Sequence, residues 1–139
     1  MTSSATLARV QPRTPPHATV LVVDDDGLVR EMMSAFLSMK GYHVIEAGNA
    51  DEAIAVLHHA SAVDVVFTDI RMPGRLDGLG LARWVRDYRP RTRVLITSGR
   101  ASGAEQAAEV SSGPLILKPY HPADVVQRVQ ALTGGAGAH

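Results

Sequence analysis

Apolar residues along the chain fall into short runs, and longer segments of mixed polarity separate these runs. Runs such as Val20-Leu21-Val22-Val23 are continuous, which is typical of strands buried on both faces of a parallel sheet. The segments between them carry apolar residues at the three-to-four spacing of a helix. This alternation predicts an α/β fold with a doubly wound, five-stranded parallel sheet.

The pattern places five strands and five helices along the chain. The predicted strands are 19–23, 43–47, 64–68, 93–97 and 115–117, and the predicted helices are 27–40, 50–59, 78–87, 101–111 and 122–133. Gly41 ends the first helix. Asn49 and Glu52 are spaced as in a capping box at the start of the second, and Pro122 suits the first turn of the last.

Helical spacing also predicts which side chains are buried. In the first helix the apolar series comprises Val29, Met32, Met33, Phe36 and Leu37. In the third helix we expect Leu79, Ala82 and Trp84 to face the core and Arg83 and Arg86 to face water.

Length and composition predict one domain over 19–133, preceded by a flexible extension at 1–18 and followed by a disordered tail at 134–139. The net charge of +0 argues against a nucleic-acid or membrane partner. There is no cysteine, no stretch long enough to span a bilayer and no secretory signal, so a cytoplasmic location is expected.

Carboxylates follow two of the predicted strands. Asp24, Asp25 and Asp26 come directly after the first strand, and Asp69 comes directly after the third. Ligand sites in open α/β sheets lie beyond the carboxyl ends of the strands, so these groups are expected at one rim. Like charges this close need a cation, and hard carboxylate oxygens suit Mg²⁺.

Two further polar side chains end the remaining strands on this rim. Ser98 follows the run Val94-Leu95-Ile96-Thr97, and Lys118 follows Leu115-Ile116-Leu117. The Lys118 ammonium is therefore the candidate for the positive charge that the carboxylates require.

Together these motifs resemble the receiver domain of two-component response regulators. The matching segments are VLVVDDD at 20–26, FTDIRMPG at 67–74, LITSG at 95–99 and LILKPY at 115–120. Any one of them is weak, but their order and spacing are specific. The resemblance covers residues 19 to about 132 and implies a flavodoxin-like sheet with strand order 2-1-3-4-5.

The resemblance also implies a role for each residue at the rim. Asp69 is the phosphoacceptor, and Lys118 and Ser98 contact the phosphoryl group. Mg²⁺ is held by Asp24, Asp25, Asp69 and the backbone carbonyl of Arg71. Asp26 is interpreted as a solvated helix start rather than a ligand, and His58, His59 and His121 are assigned no chemistry.

Two departures from the family pattern stand out. Leu115 occupies a position where many receivers carry a Tyr or Phe that reports the switch, and the segment from Ser98 to Lys118 is a residue or two short. In addition, Arg71 and Arg100 lie two residues beyond Asp69 and Ser98. Our hypothesis is that these arginines screen the hydrolytic water from the phosphoryl group, or receive a particular kinase.

The resulting prediction is a stand-alone, single-domain response regulator. It accepts phosphate from a histidine kinase or histidine phosphotransfer protein, acts as a switch rather than a turnover enzyme, and signals to an unknown downstream protein. Self-association as a homodimer stays open.

The sequence leaves two alternatives, a phosphorylation-independent binding module and a Mg²⁺-dependent aspartyl-phosphate phosphatase. Such phosphatases usually carry a second acid two residues after the nucleophile, where this chain has Arg71.

Overall fold

The computed structural model describes residues 18–60, 62–101 and 103–134. The predicted extension and tail fall outside these residues, apart from Ala18 and Gly134. No helix in these ranges is long and apolar enough to cross a bilayer.

The described residues form one parallel sheet of five strands. The strands are β1 (Thr19–Val23), β2 (His43–Ala47), β3 (Val65–Asp69), β4 (Arg93–Ser98) and β5 (Ile116–Leu117). Their order across the sheet is β2-β1-β3-β4-β5, and every neighbouring pair is parallel. The predicted fold class and strand order are confirmed.

A helix follows each strand, and the helices cover both faces of the sheet. They are α1 (Gly27–Met39), α2 (Ala50–His59), α3 (Gly78–Tyr88), α4 (Ala104–Val110) and α5 (Pro122–Leu132). Successive side chains of a strand point to opposite faces. Accordingly, Val20 and Val22 pack in a cluster with α1 and α5, while Leu21 and Val23 pack in a second cluster with α2, α3 and α4.

Several predicted boundaries need correction. Strands β3 and β4 each extend one residue further than predicted, so that Asp69 and Ser98 are the last residues of their strands. Helix α4 is shorter than the predicted 101–111, because Gly103 adopts a left-handed conformation (φ 92°) directly before it. Strand β5 begins at Ile116 rather than at Leu115.

The buried faces of two helices also differ from the prediction. In α1, Met33 and Leu37 are fully buried, whereas Met32 and Phe36 are 45% and 38% exposed. In α3 the buried side chains are Leu81, Ala82 and Val85, while Leu79 and Trp84 are only half-buried. The apolar residues at helical spacing occupy a wider face of each helix than the face that packs against the sheet. Arg83 and Arg86 are exposed, as predicted.

Local capping agrees with the sequence. Asp26 is the N-cap of α1, and its side chain accepts hydrogen bonds from the amides of Leu28 and Val29. At α2 the Asn49 side chain accepts from the Glu52 amide, while the Glu52 carboxylate accepts from the amide of Gly48 rather than from that of Asn49. Both helices therefore start where their cap residues predict.

Candidate functional site: an acidic pocket at the carboxyl edge of the sheet

Three carboxylates meet where β1 and β3 end. The two strands are adjacent, with Val23 paired to Thr68, so the residues that follow them are neighbours. Asp24, Asp25 and Asp69 each present an oxygen, and these oxygens lie within 4.8 Å of one another. Asp24 and Asp69 are buried, and Asp25 is exposed. The predicted acidic pocket is therefore formed, with one side open.

Lys118 supplies the positive charge of this pocket. Its Nζ lies 2.6 Å from Asp69 Oδ2 and 3.9 Å from Asp24 Oδ2. Its backbone amide donates to the carbonyl of Ser98 (2.9 Å), which holds the end of β5 against the end of β4. The peptide bond to Pro119 is cis. The strand-end position of Lys118 thus delivers its ammonium to the carboxylates, as predicted.

Burial dominates the electrostatics of Asp24. Removal from water raises the pKa of its carboxyl above the usual value of an aspartate. The amide of Asp26, which donates to Asp24 Oδ1 at 2.9 Å, and the charge of Lys118 oppose this shift. The neighbouring charges of Asp69 and Asp25 reinforce it.

The Lys118 ammonium is held in its charged form by its acidic neighbours. Burial alone lowers the pKa of this ammonium, but the hydrogen bond and charge of Asp69, together with the charges of Asp24 and Asp25, outweigh burial and raise it. Lys118 therefore stays protonated at neutral pH and acts as the counterion of the pocket.

Ser98 is fixed at the end of β4, beside the end of β3 that carries Asp69. Thr97 pairs with Asp69 in the β-ladder, and the Thr97 carbonyl accepts from the Ile70 amide at 2.9 Å. Ser98 itself is buried, and its Oγ accepts a hydrogen bond from the Arg100 amide (3.2 Å). Its hydroxyl proton is thus available to a further acceptor.

Arg71 lies at the mouth of the pocket. Its amide donates to Asp69 Oδ1 at 3.2 Å, and its side chain is exposed. An open depression of about 410 Å³ beside it is lined by Asp25, Arg71, Met72, Pro73 and Asp77. Asp25 and Arg71 therefore border the same opening to solvent.

Two residues that sequence reasoning missed also shape this region. A Cβ on Gly78 would overlap the carbonyl oxygen of Asp69, and the Gly78 amide donates to the Ile70 carbonyl at 2.7 Å. Tyr120 packs edge-on against Phe67, and burial raises the pKa of its phenol to about 12, with Asp24 and Asp69 adding to the shift. The Tyr120 hydroxyl has no hydrogen-bond partner among the described residues. Both features depend on contacts that form only when the chain folds.

The donors of the pocket fit a small, hard divalent cation. Three carboxylate oxygens converge within 4.8 Å, and one side of the group is open to water. Mg²⁺ binds through one or two carboxylates and retains several waters, which suits an acidic pocket with an open mouth. The residues present therefore fit the ion that the sequence predicts.

A doubly wound sheet with an acidic pocket at its carboxyl edge, and with a lysine counterion directly after its last strand, defines the class of receiver modules. The model of the response regulator receiver domain matches residues 20–130, which is most of the chain. The chain belongs to this family, whose members are phosphorylation-dependent switches of two-component systems.

Individual relatives agree with this assignment. The chain is 38% identical over 119 residues to the transcriptional regulatory protein AruR of Pseudomonas aeruginosa, covering 81% of this chain and 48% of AruR. It is 35% identical over 114 residues to the transcriptional regulatory protein ResD of Bacillus subtilis, covering 81% and 47%. A solved response regulator receiver protein from Pseudomonas putida is 27% identical, with a TM-score of 0.77 over 85% of this chain and 99% of that one.

The chain spans about half the length of these curated relatives, both of which are named transcriptional regulatory proteins. The expectations of a stand-alone regulator and of no nucleic-acid partner therefore stay predictions.

Proposed function

We propose that this receiver accepts a phosphoryl group on Asp69 from a histidine kinase or a histidine phosphotransfer protein, and that it signals by phosphorylation-dependent contact with another protein. The observation that carries the proposal is the 2.6 Å contact of Lys118 Nζ with Asp69 Oδ2, because Asp69 also presents an oxygen within 4.8 Å of oxygens of Asp24 and Asp25. A nucleophilic carboxylate beside a fixed ammonium and a cation site is the arrangement that phosphoryl transfer requires.

The proposed ligands of Mg²⁺ are the carboxylates of Asp24, Asp25 and Asp69 and the backbone carbonyl of Arg71. With Mg²⁺ held there, these residues would place a divalent charge that offsets the charge of the phosphoryl oxygens and helps to orient them. Arg71 supports this assignment because its amide contacts Asp69 Oδ1 and the residue borders the same opening as Asp25.

In the proposed transfer, an oxygen of Asp69 attacks the phosphorus of a phosphohistidine. A new O–P bond forms, the N–P bond breaks, and the imidazole of the donor leaves with the electron pair and takes up a proton. Lys118 exchanges its contact with Asp69 Oδ2 for a phosphoryl oxygen, which stabilises the added negative charge. The product is an aspartyl phosphate.

Ser98 provides the proposed link from the phosphoryl group to the rest of the domain. Its hydroxyl proton is free to donate to a phosphoryl oxygen while its Oγ still accepts from the Arg100 amide. Movement of Ser98 toward the phosphoryl group shifts the loop that follows β4. Phosphorylation of Asp69 favours this shifted conformation of the loop over the unshifted one.

A second candidate is a receiver that binds its partner regardless of phosphorylation. Leu115 favours it, because this half-buried side chain packs in the core where many receivers carry a switching aromatic residue. The two candidates differ in one measurable respect, which is whether partner affinity changes when Asp69 is phosphorylated.

The first experiment follows intact mass after incubation with Mg²⁺ and a small phosphodonor, and then with a panel of histidine kinases. We expect one phosphoryl group to be added in the wild type, to require Mg²⁺ and to be absent from Asp69→Ala. Asp26→Ala is the matched control, because the Asp26 side chain caps α1, and we expect this variant to retain the modification. If Mg²⁺ binds but no donor modifies the protein, the phosphorylation-independent candidate replaces the proposal.

The second experiment tests the output. Size-exclusion chromatography with light scattering before and after phosphorylation measures self-association, and titration of a captured partner compares the two states. A partner affinity that is equal in both states contradicts a phosphorylation-dependent signal.

A further inference from the structure

Arg30 connects three elements beneath the acidic pocket. Its Nη1 donates to the backbone carbonyl of Asp24 at 2.7 Å, and its Nε donates to Glu46 Oε1 at 3.0 Å. Asp24 follows β1, Arg30 lies in α1 and Glu46 lies in β2. One guanidinium therefore joins the turn that carries a proposed metal ligand to the neighbouring helix and strand.

The bridge is more enclosed than an ordinary surface ion pair. The side chains of Arg30 and Glu46 are 24% and 39% exposed, whereas those of the exposed pair Arg75 and Asp51 are 73% and 57% exposed. Fully exposed pairs contribute little, because solvent screens them and both side chains lose freedom. The enclosed Arg30–Glu46 pair is better placed to hold a fixed geometry.

The backbone of Asp24 is held on both sides. Its amide donates to the Ala47 carbonyl at 3.2 Å, and its carbonyl accepts from Arg30. Its side chain is fixed in turn, because Asp24 Oδ1 accepts from the Asp26 amide. Without Arg30, the Asp24 carbonyl loses this hydrogen bond, and the orientation of the Asp24 carboxylate becomes less restricted.

We propose that Arg30, oriented by Glu46, is a positioning residue that fixes Asp24 for metal binding. This inference rests on the proposed function for the identity of the ion. Arg30 acts through the Asp24 backbone carbonyl and not through the carboxylate. The guanidinium suits this task because its fork serves two acceptors at once, which a lysine ammonium does not do with the same geometry.

The sign of the effect separates positioning from simple electrostatics. Removing a positive charge near the three carboxylates lessens the Coulomb repulsion of an incoming cation. By electrostatics alone, Arg30→Ala would therefore bind Mg²⁺ more tightly. Loss of positioning weakens Mg²⁺ binding instead. Arg30→Ala is therefore expected to raise the Kd for Mg²⁺ by about tenfold, at the lower end of the range for residues that orient metal ligands.

The test is a double-mutant cycle read by calorimetric titration with Mg²⁺ alone. Glu46→Ala is expected to raise the Kd by less than Arg30→Ala does, and the double variant to match Arg30→Ala, because Glu46 acts only by orienting Arg30. Arg30→Lys retains the charge and is expected to recover only part of the affinity. Arg75→Ala and Asp51→Ala are the control pair and leave the Kd unchanged.

A second measurement, made on metal-free protein, accompanies the double-mutant cycle. Hydrogen exchange of the Asp26 amide reports its bond to Asp24 Oδ1, and we expect this amide to exchange faster in metal-free Arg30→Ala than in the wild type. Unchanged Asp26 exchange together with an unchanged or lowered Kd overturns the inference, as does full recovery by Arg30→Lys. If the wild type does not bind Mg²⁺, the proposed function fails, while the Asp26 amide still decides whether Arg30 positions Asp24.

Discussion

Lys118 and Asp69 are 49 positions apart in the sequence, yet Lys118 Nζ and Asp69 Oδ2 lie 2.6 Å apart. The same ammonium is 3.9 Å from Asp24 Oδ2. It is therefore the internal counterion of a pocket that otherwise contains three carboxylates. Because the pKa of Lys118 is raised by these neighbours despite burial, its contribution to stability persists through neutral pH. That contribution is lost only as the pH rises through the raised pKa of the folded state.

Lys118→Met tests this counterion role. Without the ammonium the carboxylates repel one another, and we expect the free energy of unfolding without Mg²⁺ to fall by about 2 kcal/mol at neutral pH. Mg²⁺ is expected to bind more tightly, because it no longer competes with a fixed cation. Urea unfolding and calorimetric titration measure the two effects.

The control for this change is Lys40→Met, which removes an exposed lysine at the end of α1. It is expected to leave both quantities nearly unchanged. Weaker Mg²⁺ binding in Lys118→Met than in the wild type contradicts the counterion account.

Asp24→Asn tests the cost of burying a carboxylate. Burial raises the pKa of Asp24, so the folded state holds a proton on this group more tightly than the unfolded state does. The contribution of this group to stability is fully present below the ordinary pKa of aspartate and is lost as the pH rises through the folded-state pKa. Metal-free Asp24→Asn is therefore expected to be more stable than the wild type at neutral pH, by on the order of 1 kcal/mol.

The measurement is urea unfolding without Mg²⁺ from acidic to neutral pH. The difference between Asp24→Asn and the wild type is expected to grow as the pH rises. Asp51→Asn, at an exposed carboxylate, serves as control. A difference that is constant with pH indicates that the gain has another origin.

Gly78→Ala tests the close approach of α3 to Asp69. The added Cβ overlaps backbone atoms of Asp69 and Ile70, so the start of α3 or the end of β3 has to shift. We expect a loss of about 2 kcal/mol in the free energy of unfolding, measured by urea denaturation. Gly99→Ala is the matched control, because its Cβ meets no atom within 4 Å. Equal effects of the two substitutions would rule out the steric explanation.

Arg71→Asn tests whether the exposed arginine at the pocket mouth protects the phosphoryl group. A smaller side chain leaves more room for the attacking water, and we expect the aspartyl phosphate to decay several-fold faster than in the wild type. The decay is followed by intact mass after removal of the phosphodonor. Arg75→Asn, in the same loop, is the control, and slower decay in Arg71→Asn counts against screening.

Much of the fold follows from local sequence. Continuous apolar runs predict the strands, and capping residues such as Asp26 and Asn49 predict the helix starts. The prediction fails where contacts in the folded chain determine which side chains are buried. Helical periodicity places Phe36 and Leu37 in one apolar series, but only packing against the sheet buries Leu37 and leaves Phe36 partly exposed.

The candidate site divides in the same way. Strand-end positions bring Asp24, Asp69 and Lys118 together without knowledge of the contacts, because parallel strands end at the same edge. Arg30 and Gly78 have no such signal. Their roles depend on a backbone carbonyl across a turn and on the space between α3 and β3, which appear only once the chain is folded.

Locating the phosphoryl group in the sequence tests whether Asp69 is the phosphoacceptor. Protein treated with Mg²⁺ and phosphodonor is reduced with borohydride, which converts an aspartyl phosphate to homoserine, and the digested peptides are sequenced by mass spectrometry. We expect conversion at Asp69 alone, and none when Mg²⁺ is withheld. Conversion at another residue, or none in protein shown to bind Mg²⁺, would contradict this expectation.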